Sequence, residues 1–218
     1  MTNQNLKNLI FNKLINLYIK KASPIGSRIL KRKYFNNLAE STVRLYLNKL
    51  VEEKYLITIQ KSVGRIPTDK GWKYYLEINK ESIKLEKLYE NIDKHNRYDL
   101  IDYIANKFNL YYILKSNDKL TEGGLEYVLK NAEFENKEIL LEFAQFLRTI
   151  KERFLDRLQL KDEEIKILIG RDISLENSEK FSLIATRKGK NTLLYLNVKR
   201  MDYPLIYKIF SKIIMKRL

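Results

Sequence analysis

Hydrophobic residues at the start of the chain recur at steps of three and four. This spacing predicts an amphipathic helix of about four turns, whose apolar side consists of Leu6, Leu9, Ile10, Leu14, Leu17 and Tyr18. Ser23-Pro24 ends the helix, because a residue that precedes proline avoids the α-helical region. Two shorter segments, residues 27–34 and 41–54, are also predicted to be helices, and Ser27 is a candidate N-cap for the first of them.

The second short helix has one apolar and one polar side. Val43, Leu47 and Leu50 share the apolar side by helical spacing and are expected to face the core. The other side and its flanks carry Ser41, Thr42, Arg44, Leu45, Asn48 and Lys49. Arginine can pair with guanine, asparagine with adenine, and an exposed leucine can touch a thymine methyl, so this side suits the major groove of DNA. For Arg44, a base contact, a phosphate contact and a brace against Glu40 remain open.

A short hairpin is predicted next. Residues 56–60 form a strand, residues 62–65 the turn, and Pro67 confines the return to a sheet edge. Lys61, Ser62 and Arg65 are expected at or near the tip, where a wing reaches phosphate or the minor groove. Thr68 or Asp69 then caps a helix that is predicted to run through Ile83 and as far as Leu88, with Trp72 and Tyr75 packed against the first helix.

This order of elements is typical of a winged helix-turn-helix, which we predict for residues 1–80. The candidate DNA contacts are Ser27, Arg28, Ser41, Thr42, Arg44, Leu45, Asn48, Lys49, Lys61, Ser62 and Arg65. Residues 81–218 predict a second, α+β regulatory domain. It begins with a charged helical stretch that includes His95, and continues with strands at 110–114, 165–169, 181–186 and 192–198 and helices at 125–129, 139–158 and 202–216.

The charge is concentrated in the predicted DNA-binding part. The chain has a net charge of +15, and residues 1–80 hold 16 Lys/Arg against 5 Asp/Glu. Such an imbalance favours a polyanion partner. Cysteine is absent and there is one histidine, so we expect no catalytic residue, metal site or cofactor. No apolar run is long enough for a membrane span, and a cytoplasmic, nucleoid-associated protein is expected.

Several motifs resemble the heat-inducible transcription repressor HrcA family. In the first half these are Pro24-Ile25-Gly26-Ser27-Arg28, Thr42-Val43-Arg44 and the segment from Gly64 to Tyr75. In the second half they are Ala132-Glu133-Phe134, Ile169-Gly170-Arg171-Asp172 and Arg200-Met201-Asp202-Tyr203. Where the family has Asn-Glu and Pro-His-Thr, this chain has Leu45-Tyr46 and Ile59-Gln60-Lys61.

The resemblance implies a winged helix followed by a GAF-like domain. It also implies a homodimer that represses chaperone genes at an inverted-repeat operator, is relieved by heat stress, and is supported by the GroE chaperonin. The chain is short for the family, so the dimerisation segment inserted in the GAF-like domain is expected to be reduced or missing. Asp202 is expected to cap the last helix and Arg200 to brace it or to contact the other domain.

Alternative functions follow from the same residues. A winged-helix plasmid replication initiator would repeat the winged-helix pattern in its second half, and residues 110–218 show no such repeat. A transcription regulator that responds to a small ligand remains open, because GAF-like folds bind small molecules in some proteins. An enzyme is disfavoured, because Gly123-Gly124 lacks the flanking pattern of a phosphate loop and no paired-carboxylate motif is present.

Overall fold

The structure, a computed structural model, describes residues 3–60, 63–83, 85, 96–117 and 119–218. The chain forms two units. The first comprises Met1–Asn79 together with Asp202–Pro204, and the second comprises Lys80–Met201 and Leu205–Leu218. No described helix is both long and apolar enough to cross a bilayer.

The first unit consists of three helices, a two-stranded antiparallel hairpin and a further helix. In chain order these are α1 (Asn3–Lys21), α2 (Ser27–Tyr34), α3 (Glu40–Glu52), β1 (Leu56–Gln60), β2 (Gly64–Pro67) and α4 (Asp69–Asn79). Most ends of these six elements lie within two residues of the ends predicted from the sequence. One exception is the end of α4, since Ile83 lies beyond it and Leu88 is outside the described residues.

Of the caps predicted for the N-termini of α4 and α2, the first is present in the structure and the second is not. Thr68 caps α4, because its Oγ1 accepts a hydrogen bond from the Gly71 amide at 2.9 Å, as expected of an N-cap threonine. The prediction that Ser27 caps α2 is wrong. Gly26 occupies the N-cap position without a side-chain bond, and Ser27 is the first helical residue, buried and bonded to Glu40.

The core of the first unit contains an aromatic contact between its helices. Trp72 of α4 is 1% exposed, and its ring centroid lies 6.0 Å from that of Tyr18 in α1. The Tyr75 hydroxyl donates a hydrogen bond to Asn16 Oδ1 in α1 at 2.9 Å. The predicted packing of Trp72 and Tyr75 against the first helix is therefore confirmed.

The second unit contains a five-stranded antiparallel sheet with the strand order β4-β3-β7-β6-β5. The strands are β3 (Tyr111–Ser116), β4 (Lys119–Gly123), β5 (Ile165–Ile169), β6 (Phe181–Lys188) and β7 (Asn191–Val198). Among the described residues, its helices are α5 (Arg97–Phe108), α6 (Leu125–Val128), α7 (Lys137–Thr149) and α9 (Met215–Arg217), and most of α8 (Tyr203–Ile209), whose first two residues belong to the first unit. One π-helical segment (Ile150–Phe154) follows α7, another (Phe210–Ile214) joins α8 to α9, and three 3-10 turns lie at Ala132–Glu135, Gly170–Ile173 and Ser178–Lys180. The mixed α+β class is confirmed, whereas β4 was not predicted.

Four phenylalanines anchor the helical layer on this sheet. Phe143 and Phe146 of α7 lie 5.2 Å and 5.1 Å from the ring of Phe181 in β6, and Phe134 lies 5.0 Å from Phe143. Burying a phenylalanine side chain contributes about 1.5–3 kcal/mol relative to leaving it exposed. This cluster therefore fixes α7 against the strands.

An ion pair joins two of the motifs in the second unit. Arg200 Nε and Nη2 donate to the two carboxylate oxygens of Glu133, at 2.6 Å and 2.8 Å. The bidentate geometry is the strong form of such pairs, and it ties the segment before α8 to the 3-10 turn at Ala132–Glu135. Asp202 directly precedes α8, which is where an N-cap residue is expected. His95 lies outside the described residues.

Candidate nucleic-acid interface

Helix α3 presents a polar side on an apolar base. Val43, Leu47 and Leu50 are fully buried, as predicted from their spacing. On the other side, Leu45 is 53% exposed and Asn48 is also exposed. The buried side fixes the helix, and the exposed side is available to a partner.

Glu40, the first residue of α3, bonds to side chains of two helices. Its Oε1 accepts hydrogen bonds from Arg44 Nη2 at 2.8 Å and from Ser27 Oγ at 3.0 Å. Arg28 Nε lies 3.9 Å from Oε2. The hydrogen bond from Arg44, followed by that from Ser27, lowers the pKa of the Glu40 carboxyl, because both favour its charged form. Of the three roles left open for Arg44, the brace against Glu40 is the one observed.

Arg65 lies in a strand and not in the turn, so that part of the hairpin prediction is wrong. It pairs with Thr58 across the hairpin. It also exchanges two backbone hydrogen bonds with Ile25, each 3.0 Å long. Gly64 precedes it at φ 127°, and a Cβ there would lie 2.7 Å from the Ile25 carbonyl carbon. The segment before α2 therefore forms a third short line of backbone pairing beside the hairpin.

The Arg65 side chain reaches α3. Its Nη2 donates to Asn48 Oδ1 at 2.6 Å. Its Nε is buried and has no hydrogen-bond acceptor among the described residues. Burial, and then the nearby Arg44 guanidinium, lower the pKa of Arg65, since both disfavour its charged form. Two cations thus lie close together on this side of the unit, an arrangement that an anionic partner would relieve.

The predicted contact residues have different environments. Arg28, Ser41, Arg44, Leu45, Asn48 and Lys49 are exposed, Thr42 and Arg65 are partly buried, and Ser27 is buried. Lys61 and Ser62 lie outside the described residues. The structure brings together Ser27, Arg28 and Arg44 around Glu40, and Arg65 with Asn48.

Two features of the interface were missed from the sequence. Glu40 was predicted as a possible start of α3 and as a partner of Arg44, whereas its bond to Ser27 depends on how α2 packs on α3. Ile57, Ile59 and Val63 of the hairpin are each more than two-fifths exposed. A signal for them existed, because a two-stranded hairpin can bury only one of its faces.

Comparisons with known proteins show the family of the chain. The sequence matches the family model described as the HrcA protein C-terminal domain over residues 42–206. The chain belongs to the HrcA family. It is 36% identical over 131 residues to the heat-inducible transcription repressor HrcA of Mycoplasmoides gallisepticum, a match that covers 50% of this chain and 37% of that protein.

Two further HrcA relatives match stretches of this chain that are shorter than, or similar in length to, the first match. The HrcA of Mycoplasma pneumoniae is 35% identical over 104 residues, 45% of this chain and 30% of the relative. That of Chlorobium luteolum is 29% identical over 136 residues, 59% of this chain and 37% of the relative. The matches therefore span little more than a third of these curated HrcA proteins.

A solved structure shares the fold. It is the crystal structure of a hypothetical protein at 2.2 Å resolution, with a TM-score of 0.71 and 14% sequence identity. The match covers 100% of this chain and 99% of that one. The similarity supports the architecture of this HrcA family member, and at this identity it concerns the fold alone.

Proposed function

We propose that this HrcA family member is a DNA-binding transcriptional repressor of heat-shock (chaperone) genes that is relieved by heat stress. The observation that carries the proposal is the exposed polar side of α3, with Arg44, Leu45 and Asn48, on a fully buried apolar base. Family membership supports it, because the curated relatives are named heat-inducible transcription repressors. A repressor needs no catalytic residue, and we propose none.

The proposed domains are a winged helix-turn-helix at residues 1–80 and a GAF-like regulatory and dimerisation domain at 81–218. The order of three helices and a hairpin before α4 supports the first, and the antiparallel sheet with helices supports the second. In the winged helix, α3 enters the major groove while α2 and the hairpin contact the backbone, as in other helix-turn-helix proteins.

The proposed assembly is a homodimer on an inverted-repeat operator, because one recognition helix reads too few base pairs for genome-level specificity. The interface is expected after about residue 80. Light scattering of the free protein and of its complex with operator DNA measures the mass directly, and a monomer in both would overturn this part.

The GroE chaperonin is the proposed protein partner, and the proposed place of action is the nucleoid in the cytoplasm.

The central experiment is selection of duplexes from a random pool, followed by anisotropy titrations on the selected and on a scrambled duplex. We expect an enriched sequence with two-fold symmetry and an affinity that falls steeply with salt, because phosphate contacts release counterions. Thr42→Ala should lower the ratio of selected to scrambled affinity. Equal affinity for both duplexes would refute sequence-specific binding, and no binding at low salt would refute DNA binding.

A second candidate function is regulation by a small apolar ligand. A groove of about 530 Å³ in the second unit has an apolar part formed by Leu125, Leu129, Leu140, Phe143 and Leu147, and charged residues, among them Glu122 and Lys151, also line it. This volume lies within the range of small-molecule sites. A thermal-shift screen with apolar carboxylates and amines tests it, and a ligand effect that Leu140→Arg abolishes would favour this function.

A further inference from the structure

The hydrogen bond between Arg65 and Asn48 determines which end of the asparagine amide faces the hairpin. A guanidinium can only donate, so the atom that it contacts at 2.6 Å is the Asn48 oxygen. The Nδ2 group, at the other end of the amide, therefore faces away from the Arg65 guanidinium. The consequence for DNA depends on the DNA-binding function proposed above.

The position of Arg65 is itself fixed by backbone pairing. Its N–H and C=O both bond to Ile25, and it lies opposite Thr58 in the hairpin. Its Nε is buried, so the side chain does not extend freely into solvent like a surface cation. Because the Arg65 backbone is fixed, its guanidinium holds the Asn48 amide in one orientation and opposes a flip of that amide.

Asparagine recognises adenine through two bonds, in which Oδ1 accepts from N6 and Nδ2 donates to N7. That pair requires an oxygen directed at the base. We infer that Arg65 is a positioning residue that makes Asn48 a hydrogen-bond donor to DNA, so that it selects bases whose major-groove edges offer an acceptor, guanine and thymine above all, against cytosine, which offers only the N4 donor. The sequence alone had suggested a two-bond adenine contact for asparagine, and the bond to Arg65 already engages the oxygen that this contact uses.

A rival role for Arg65 is a simple phosphate contact. The nearby Arg44 and the lowered pKa of Arg65 show that this region favours an anion. If a phosphate took Arg65 away from Asn48 in the complex, Arg65 would add affinity to every sequence equally. The two roles differ in one measurable respect, the base preference at the position that Asn48 reads.

The first measurement uses the free protein. A double-mutant cycle of Arg65→Met, Asn48→Ala and the double variant reports the coupling of the two side chains in thermal unfolding. We expect the double variant to be less destabilised than the sum of the two single variants. Full additivity would show that the bond does not hold the amide, and would overturn the inference whatever the DNA results are.

The second measurement repeats the selection with variants of the full chain. Asn48→Ala identifies the base pair that Asn48 reads, since preference is lost there. Asn48→Asp keeps an oxygen for Arg65 but removes the donor, so the preference should move to cytosine or adenine, whose N4 and N6 groups donate. Arg65→Met frees the amide to turn its oxygen to the base, so it should lower the preference for guanine or thymine over cytosine at this position by about tenfold. Arg65→Lys, which keeps a donor and the charge, should retain most of it.

Lys49→Met is the matched control, because it removes one positive charge from the exposed side of the same helix. It should weaken all sequences alike and leave every base preference unchanged. If Arg65→Met behaves in the same way, Arg65 is a phosphate contact and the inference is wrong. A pool without any enriched sequence would refute the proposed function and this inference together, whereas an enriched sequence whose preferences ignore Arg65 would refute the inference alone.

Discussion

Glu40 shows how one carboxylate organises the start of the recognition surface. It accepts from Arg44 on its own helix and from Ser27 on α2, so it joins the two helices and holds an arginine that would otherwise move freely. At neutral pH it also places a negative charge beside the proposed path of DNA. Its contributions to stability and to DNA binding therefore have opposite signs.

The first prediction concerns Glu40→Gln. The folded-state pKa of Glu40 is lowered, so the carboxylate stabilises the fold above its unfolded pKa of about 4.3, and this contribution is lost as the pH falls through the folded pKa. Glu40→Gln should therefore be less stable than the parent at pH 7, and the difference should vanish in acid. Thermal unfolding between neutral and acidic pH measures it.

Glu52→Gln is the control for this prediction, because it removes one negative charge from the exposed side of the same helix, away from Ser27 and Arg44. On random DNA, both variants should bind more tightly than the parent. A stability difference for Glu40→Gln that persists unchanged in acid would show that the carboxylate is not the stabilising form.

The sequence predicted the environment of individual side chains only where this environment depends on local spacing along the chain. The buried side of α3 and the exposure of Leu45 follow from helical periodicity. The bond from Arg65 to Asn48 does not, because it requires the register of β2 against β1 and against Ile25, which is 40 positions earlier in the chain. Gly64 and Arg65 looked like part of a turn, and their pairing with Gln60 and Thr58 of β1 makes them part of a strand.

At the scale of elements, Gly64 links the hairpin to the segment before α2. Its φ of 127° lies in a region that disfavours a Cβ, and the added atom would meet the backbone of Ile25. We predict that Gly64→Ala destabilises the fold by roughly 1–3 kcal/mol and weakens binding to DNA by displacing Arg65. Denaturant unfolding and anisotropy titrations measure the two effects.

Gly26→Ala is the matched control for Gly64→Ala. Nothing lies within 4 Å of a Cβ built on Gly26, and its φ of −94° is ordinary. The same chemical change should therefore cost little there. Equal losses at both positions would mean that the strain at Gly64 is relieved elsewhere and that its contact with Ile25 does not shape the hairpin.

A second element-scale prediction concerns the ion pair in the second unit. The side chains of Arg200 and Glu133 are only 12% and 22% exposed, so removing one leaves the other poorly solvated. Arg200→Met should cost about 1–3 kcal/mol. Arg171→Met, which removes the exposed Arg171–Glu179 pair, should cost less than about 1 kcal/mol. Denaturant unfolding compares them, and similar losses would show that burial does not strengthen the Arg200 pair.

In the second unit, strands β5, β6 and β7 were predictable from the sequence, whereas β4 was not. Strand β5 and the hairpin of β6 and β7 are rich in apolar residues, and their pattern is clear on its own. Strand β4 has the sequence Lys-Leu-Thr-Glu-Gly and is largely exposed, so its composition gives no strand signal. It exists because β3 offers it an edge, with Leu114 opposite Thr121, and an edge of this kind is not encoded locally.

At the scale of the whole molecule, the net charge of +15 sets a general attraction to DNA that salt should weaken. The excess is concentrated in residues 1–80, with 16 Lys/Arg against 5 Asp/Glu. In the proposed function, this charge supplies affinity for any sequence, whereas α3 supplies the choice among sequences. The proposed repressor must therefore control how much folded, DNA-competent protein is present, because the charge itself cannot be switched.

The last prediction concerns that control. Folded proteins are stable by only about 5–15 kcal/mol, so a repressor near the lower end loses its active population on mild heating. We expect purified protein to lose operator binding after a short excursion above growth temperature, and GroE with ATP to restore it. The physical reason is that chaperonin returns unfolded chains to the folding pathway, and free chaperonin is scarce when other proteins unfold. Anisotropy on the selected operator, before and after heating, measures the active fraction.

Two controls separate this mechanism from general protection. GroE without ATP should bind the heated chain and fail to restore operator binding, and serum albumin at the same mass concentration should have no effect. Arg200→Met should lower the temperature at which binding is lost, because it destabilises the second unit without changing α3, the helix proposed to contact DNA. Full operator binding after heating, together with no response to GroE and ATP, would refute heat-relieved repression while leaving sequence-specific DNA binding intact.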